Sequence, residues 1–447
     1  MNYAESLQYL FSLGRELAAP TQAAAAKFDL ENITTLAEAL GHPEREYRSV
    51  HIAGTNGKGS TAAFTESILR TAGLKTGLYT SPHLEKINER IRVNGEEISD
   101  EDFAASFSRI CALIEELLAH VKLRAHPTFF EVVTALAFDH FAQAGVEFAI
   151  FEVGLGGRLD ATNIVTPEVA VITHVDFDHE NFLGHSLEEI AGEKAGIIKQ
   201  GVPLVLAEQR TVAREIILRR ALEFGAPVVE TEKRYQIKAS AASDERVQAE
   251  VEEQESGKTI NVAPRLRGRF QVGNAINAIA VARLLQARGV KITDAAIEQG
   301  IANAVWPGRI EKLWSNPDIY LDGAHNPSAA RELANFLKEN FAGRRVTLVF
   351  GAMRDKAVDE IAGILFPLAS EVVFTQPHTS RAISAEQLAR MAGEYALHFR
   401  VISNAEVALE EALAHSLSGD AIFITGSLYL VGELRHYWKT RSRVAAR

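Results

Sequence analysis

Ten short apolar, β-branched runs, spaced so that helical segments fit between them, leave this 447-residue chain few folds to choose from. The runs are Val50–Ala53, Leu74–Thr80, Phe148–Val153, Val169–Thr173 and Val202–Ala207, then Ile319–Leu321, Val346–Phe350, Glu371–Thr375, Arg400–Ser403 and Ala421–Thr425. Strands apolar on both faces suit a parallel sheet with helices packed on each side, so the fold class is α/β. Helix starts are readable between them. Ser99 with Asp102 resembles a capping box, followed by Phe103, Phe107, Ile110, Ile114 and Leu117 at helical spacing; Ser186 with Glu189 and Ser384 with Gln387 repeat the signal. Asn94-Gly95 predicts a hairpin between Ile87–Val93 and Glu96–Ser99. Tyr235–Phe270 breaks the rhythm: it is polar and alternating, and predicts a small antiparallel flap. A strand-poor stretch, Asn303–Pro317, precedes a fresh series of strand–helix units and sets the expected domain boundary, 1–303 against 304–447.

Composition removes several function classes. A formal charge of −11 argues against a nucleic-acid partner, which calls for a basic domain. One cysteine, Cys111, excludes an internal disulfide framework and a multi-thiolate zinc site, and fits a reducing compartment. The start lacks a basic n-region, and no run approaches 18 apolar residues, so the expectation is a cytoplasmic protein without a membrane segment.

The sharpest local feature is His51-Ile52-Ala53-Gly54-Thr55-Asn56-Gly57-Lys58-Gly59-Ser60-Thr61, which leaves the first strand and enters a helix ended by Gly73. Glycines let successive backbone N–H groups converge on an oxyanion, and the helix N-terminus adds about half a positive charge. Lys58 would reach the β- and γ-phosphates, and the hydroxyl of Ser60 or Thr61 would meet a magnesium ion. The strict phosphate-loop pattern fails twice, at Ile52 and at Gly59; the bland alternative is a glycine-rich turn with a solvated lysine. Gly154-Leu155-Gly156-Gly157-Arg158-Leu159 misses the third small residue of a dinucleotide fingerprint. No Gly-x-Ser-x-Gly elbow or His-Glu-x-x-His pair occurs.

Glu152 ends one apolar run, and His174-Val175-Asp176-Phe177-Asp178-His179 follows the next, at the strand edge where ligands bind in open α/β sheets. A carboxylate, a histidine and phosphate oxygens can share a magnesium ion; turn formation or helix capping is the bland reading. Lys194 shares a helix face with Ile190 and Ile197 and points inward, which is costly unless the amine is paired or chemically altered.

These residues resemble the bacterial folylpolyglutamate synthase/dihydrofolate synthase family of the Mur ligase superfamily. The resemblance runs in order through His51–Ser60, Thr80–Leu84, Glu152–Asn163, His179 and Glu193–Lys199, then Gly268–Asn274, Pro307–Arg309, Asp322–Asn326, Gly351–Lys356 and Gly426–Tyr429. It implies an N-terminal P-loop ATPase-like domain with a mainly parallel sheet and the flap, and a C-terminal Rossmann-like α/β domain, with the site in the cleft between them. By motif, Gly57, Lys58, Gly59 and Ser60 would hold the ATP phosphates; Asn274, Arg309 and Asp322 would contact the nucleotide; and Ser81, Glu152 and His179 would bind magnesium, two ions in all. Lys58, His179 and Lys194 take the catalytic positions, Lys194 matching a lysine that the family carboxylates with CO₂. Thr128, Phe129, Phe130 and Glu131, with Leu159, Asp160 and Ala161, match pterin-contacting segments, Phe28–Leu30 more loosely. His325 and Ser427 are the remaining substrate positions. The implied activity is ATP-dependent addition of L-glutamate to 7,8-dihydropteroate and to reduced folates through an acyl phosphate, by a monomer.

Arg158-Leu159-Asp160-Ala161 leans toward the bifunctional pattern over a folylpolyglutamate synthase alone. Gly59 argues against a cell-wall ligase, which ordinarily has Thr or Ser after the lysine. The motifs of the second domain argue against a nucleotide switch that makes no amide bond. The basic end, Arg435–Arg447, is expected to be a solvated helix terminus.

Overall fold

The computed structural model describes residues 1–13 and 29–445. An eight-stranded sheet fills the first part: β1 (Arg48–Ala53), β2 (Thr76–Tyr79), β3 (Ile91–Val93), β4 (Glu96–Glu97), β5 (Phe148–Glu152), β6 (Val169–Ile172), β7 (Leu204–Leu206) and β8 (Val228–Glu230). Its order is β4-β3-β2-β5-β1-β6-β7-β8, parallel except where the β3–β4 hairpin joins β2. Both faces are covered, as apolar strands require. In β5, Phe148 and Ile150 enter a core with helices Lys58–Thr71, Phe270–Ala287 and Asp294–Asn303, while Ala149 and Phe151 enter another with helices Asp100–Ala119 and Phe129–Gln143.

The flap forms as β9 (Tyr235–Ala242), β10 (Val247–Glu253) and β11 (Thr259–Val262), all antiparallel. Val247, Ala249 and Val251 are buried and their neighbours Gln248 and Glu250 exposed, the alternation of a one-faced sheet.

The second sheet holds β12 (Glu311–Trp314), β13 (Asp318–Leu321), β14 (Val346–Phe350), β15 (Glu371–Gln376), β16 (Phe399–Asn404) and β17 (Ala421–Thr425) in the order β12-β13-β17-β14-β15-β16. All pairs are parallel except the edge pair β12–β13. Helices Pro327–Asn340, Val358–Leu365 and Ala385–Ala392 cover one face; Ala405–Ala414 and Leu428–Ala445 cover the other.

Two local readings are corrected. Ile87–Arg90 is a 3₁₀ turn and only Ile91–Val93 pairs as a strand, because the Glu89 carboxylate accepts the amides of Leu84, Glu85 and Lys86 and curls the chain. The stretch read as strand-poor contains β12, whose half-buried side chains carry no clear period. Among the described residues no helix is long and apolar enough to cross a membrane.

Candidate active site

β1 ends at Ala53 and the chain turns through Gly54–Gly57 into helix Lys58–Thr71. Gly57 has φ 87°, and a Cβ there would lie 2.3 Å from Asn274 Oδ1. A Cβ on Gly59 would lie 2.7 Å from the Trp306 indole nitrogen, so the ring occupies the space that a serine or threonine would need. That accounts for the departure from the strict loop pattern at this position. One residue on, Ser60 lines the cleft, whereas the Thr61 hydroxyl is buried without a partner on the helix's inner side. The Lys58 ammonium folds over the loop, donating to the carbonyls of Gly54 at 3.1 Å and Thr55 at 3.2 Å. Burial lowers its pKa, with Glu152 and Asp178 pulling the other way.

Glu152 sits beside Ile52 in the β1–β5 register, and its carboxylate accepts the Ser81 amide at 3.3 Å. Burial raises its pKa against the opposing charge of Lys58. His179 has φ 52° and precedes the short helix Glu180–Leu183. Burial pushes its ring down to about 3, so the imidazole is neutral, and its Nδ1 is buried without a hydrogen-bond partner. Among the described residues no three His, Cys, Asp or Glu side chains converge as a self-sufficient metal cage. A hydroxyl, a carboxylate and a neutral imidazole nevertheless fit magnesium, which keeps waters and takes further oxygens from phosphate. The unpartnered Nδ1 is the atom that calls for such a group.

The second sheet supplies the opposite wall. Asp178 accepts from Lys356 Nζ at 2.6 Å and from the Asn326 side-chain amide at 3.1 Å, and His325 Nε2 lies 3.6 Å away. Burial alone would raise the Asp178 carboxyl; the His325 ring and the Lys356 charge beside it outweigh that and hold the group well below the usual carboxylate range. Asn56 and Asn326 exchange side-chain amide hydrogen bonds of 3.2 and 3.0 Å. Since Gly323 O can only accept, His325 Nδ1–H donates to it at 2.7 Å, and Nε2 faces Asp178. Asp322 is spent on its own turn, accepting the amides of Ile310 at 3.0 Å and Ala324 at 2.9 Å beside Arg309. The Ser427 hydroxyl accepts the Tyr429 amide at 3.1 Å at the end of β17. None of these cross-domain partnerships is encoded in sequence spacing.

Lys194 is buried and donates to Gly54 O at 2.9 Å, and among the described residues it makes no ion pair with an acid. Burial, aided by the Lys58 ammonium, brings its amine down to about 7. Of the acidic run, Asp176 turns away to Arg210, 3.2 Å distant, while Asp178 and His179 face the cleft.

The cleft has a volume of about 1200 Å³, and among the described residues every sequence-expected site residue lines it except Phe129 and Leu30, which packs against the core instead. Phe129 is buried in the core beside Val132 and Val133 and stacks on Phe11; its neighbour Phe130 reaches the cleft, against Gly154. Thr128 caps the helix Phe129–Gln143 with Glu131 in a reciprocal box. The Asp160 carboxylate accepts the amides of Gly154, Leu155 and Thr162, so it holds the turn that presents Leu159 and Ala161. Phe28 lies outside the described residues, as does Arg447. The expectation of a solvated basic end is corrected at Arg435, which is mostly buried in ion pairs with Glu85 and Glu311.

Two family descriptions match the chain: Mur ligase middle domain over residues 52–282 and Mur ligase, glutamate ligase domain over 308–428. The Bacillus subtilis dihydrofolate synthase/folylpolyglutamate synthase is 38% identical over 419 residues, covering 91% of this chain and 94% of that protein. Among solved structures, Mycobacterium tuberculosis folylpolyglutamate synthase complexed with ADP superposes with a TM-score of 0.88 at 31% identity, covering 98% of each chain. Escherichia coli FolC in complex with DHPP and ADP gives a TM-score of 0.85 at 30% identity, covering 99% of each chain.

Proposed function

The chain belongs to the Mur ligase family, among the dihydrofolate synthases/folylpolyglutamate synthases, and from that premise we propose that it joins L-glutamate to the carboxylate of 7,8-dihydropteroate and to the glutamyl tail of reduced folates. It is an ATP-dependent ligase. The observation that carries the finer reading is one cleft in which a phosphate loop with Lys58 faces Arg309, His325, Lys356 and Ser427 of the second sheet, next to the turn Leu159–Ala161.

A carboxylate is a poor acyl donor, so the γ-phosphoryl group of ATP is transferred to it first, giving an acyl phosphate and ADP. Gly57–Ser60 and the helix N-terminus orient the phosphates, and Lys58 leaves its loop carbonyls to neutralise the transferring group. Ser81, Glu152 and His179 would hold magnesium, two ions being expected, and the metal would supply further charge neutralisation there. The glutamate amine then attacks the acyl carbon, the C–N bond forms and phosphate leaves. The ionised Asp178 beside Lys356 and His325 offers an anionic and a cationic partner for the ends of an amino acid. Closure of the two sheets about the cleft keeps water from the acyl phosphate. The lowered amine of Lys194 suits attack on CO₂: its neutral nitrogen bonds carbon, a proton leaves, and the uncharged amine becomes a carbamate anion beside Lys58. We take the protein to act as a cytoplasmic monomer with no nucleic-acid partner.

The test is direct. Purified protein with ATP, magnesium, 7,8-dihydropteroate and glutamate should release phosphate and form dihydrofolate, and with tetrahydrofolate should lengthen the glutamyl tail. ATP turnover indifferent to pterin and glutamate refutes the reading; activity on tetrahydrofolate alone restricts it to folylpolyglutamate synthesis.

A further inference from the structure

The loop carrying Ser81 and the turn carrying Arg309 come from different parts of the chain, yet one guanidinium joins them. Arg435, on helix Leu428–Ala445, donates through Nε to both oxygens of Glu311 at 3.0 and 2.9 Å, and through Nη1 to Glu85. Glu311 also accepts the Gly308 amide at 2.9 Å, immediately before Arg309. Glu85 lies four residues beyond Ser81, and Lys439 donates to it at 2.7 Å. The loop is tied together, because the amides of Leu84, Glu85 and Lys86 all converge on the Glu89 carboxylate at 2.8–2.9 Å. Gly432, one turn before Arg435, lets the helix approach so closely that a Cβ there would lie 1.9 Å from Leu84 O. Arg435 and Glu85 keep only 15% and 12% of their side-chain surface exposed, so the pair is little screened by solvent.

We propose that Arg435 is a positioning residue that fixes the Ser81 loop and the Arg309 turn relative to each other, so that metal and nucleotide contacts form together when the second domain closes. A guanidinium suits this because its planar fork can hold two carboxylates at once, which a lysine ammonium does less rigidly. The proposal rests on the reading of Ser81 as a metal contact and Arg309 as a nucleotide contact.

Three variants separate the arms. Glu85→Gln should speed hydrogen exchange in residues 81–89 and raise the half-activating magnesium concentration roughly tenfold, with ADP affinity in metal-free buffer unchanged. Glu311→Gln should weaken ADP roughly tenfold in that metal-free buffer, and Arg435→Ala should show both effects. Both glutamines keep the side-chain shape, so the test survives if Arg435→Ala fails to fold. If the variants lower the melting temperature but leave exchange and both constants within about twofold, Arg435 is merely structural and the proposal is overturned. Ser81→Ala and Arg309→Ala serve as controls. If they leave the constants unmoved, it is the assignment of metal and nucleotide contacts that fails; if they act as expected and the three variants do not, the coupling alone fails.

Discussion

Burial and the neighbouring Lys58 ammonium bring the Lys194 amine down to about 7, against the weaker upward pull of Asp178 and Asp160. At pH 7.5 roughly three-quarters of such an amine is neutral, compared with about one part in a thousand of a lysine at its ordinary pKa near 10.4. The pool of nucleophilic nitrogen is therefore several hundredfold larger than on an exposed lysine. Titrating the protein at a fixed dissolved concentration of ¹³C-labelled CO₂ exploits this. The neutral form lies above the pKa, so the initial rate of labelling at Lys194 should rise about tenfold per pH unit up to neutrality and level off beyond it. Carbon-13 NMR, with Lys194→Arg as the blank, reads the carbamate directly. The same shift bears on stability with a definite sign. Between pH 7 and about 10.4 the unfolded chain binds the proton that the native chain has lost. CO₂-depleted protein should thus lose up to about 1.4 kcal/mol per pH unit as pH falls through that window, a slope absent from the variant. Label confined to about pH 10 and above, or no label at Lys194 at any pH, would refute the reasoning.

Other perturbations have defined outcomes. Lys58→Ala should abolish phosphoryl transfer while circular dichroism stays unchanged, and retained turnover would reject the phosphate-loop assignment. Phe129→Ala should cost about 3–5 kcal/mol in denaturant unfolding with KM values unmoved, while Phe130→Ala should spare stability and raise KM for the pterin substrate. Asp178→Asn removes the charge that the Lys356 ammonium, only 7% exposed, meets at 2.6 Å, leaving it Asp355 at 3.8 Å; kcat/KM for glutamate should fall by more than a hundredfold, about 3 kcal/mol, and a change of less than threefold would show that the pair does not matter.

What could be read from the sequence, and what could not, follows from range. Apart from Arg400–Ser403 in the largely exposed edge strand β16, the apolar runs from Val50 to Ala421 are legible because their strands are buried on both faces, so their composition is one-sided in a way no loop shares. β8 (Val228–Glu230) and β12 escaped because their side chains are only half-buried and neither alternate nor run apolar. Lys58, Glu152 and Lys194 were visible because each chemistry depends on a local context: a strand end, a helix start or an inward helical face. Phe129 shows the same logic misapplied. Consecutive helical residues point about 100° apart, so Phe129 and Phe130 could not both face a ligand, and the series Phe129, Val132, Val133, Leu136 already marked the buried stripe. The contacts that close the cleft have no local signature. Asp178 and Lys356 are 178 residues apart and Glu85 and Arg435 are 350 apart, so only the folded chain brings them together. This is why a terminal cluster of basic residues, which composition alone reads as a solvated helix end, carries the guanidinium that ties two halves of the site. Arg435 is recognisable by what it touches, and its partners Glu85 and Glu311 owe their own importance to Ser81 and Arg309 lying a few residues away.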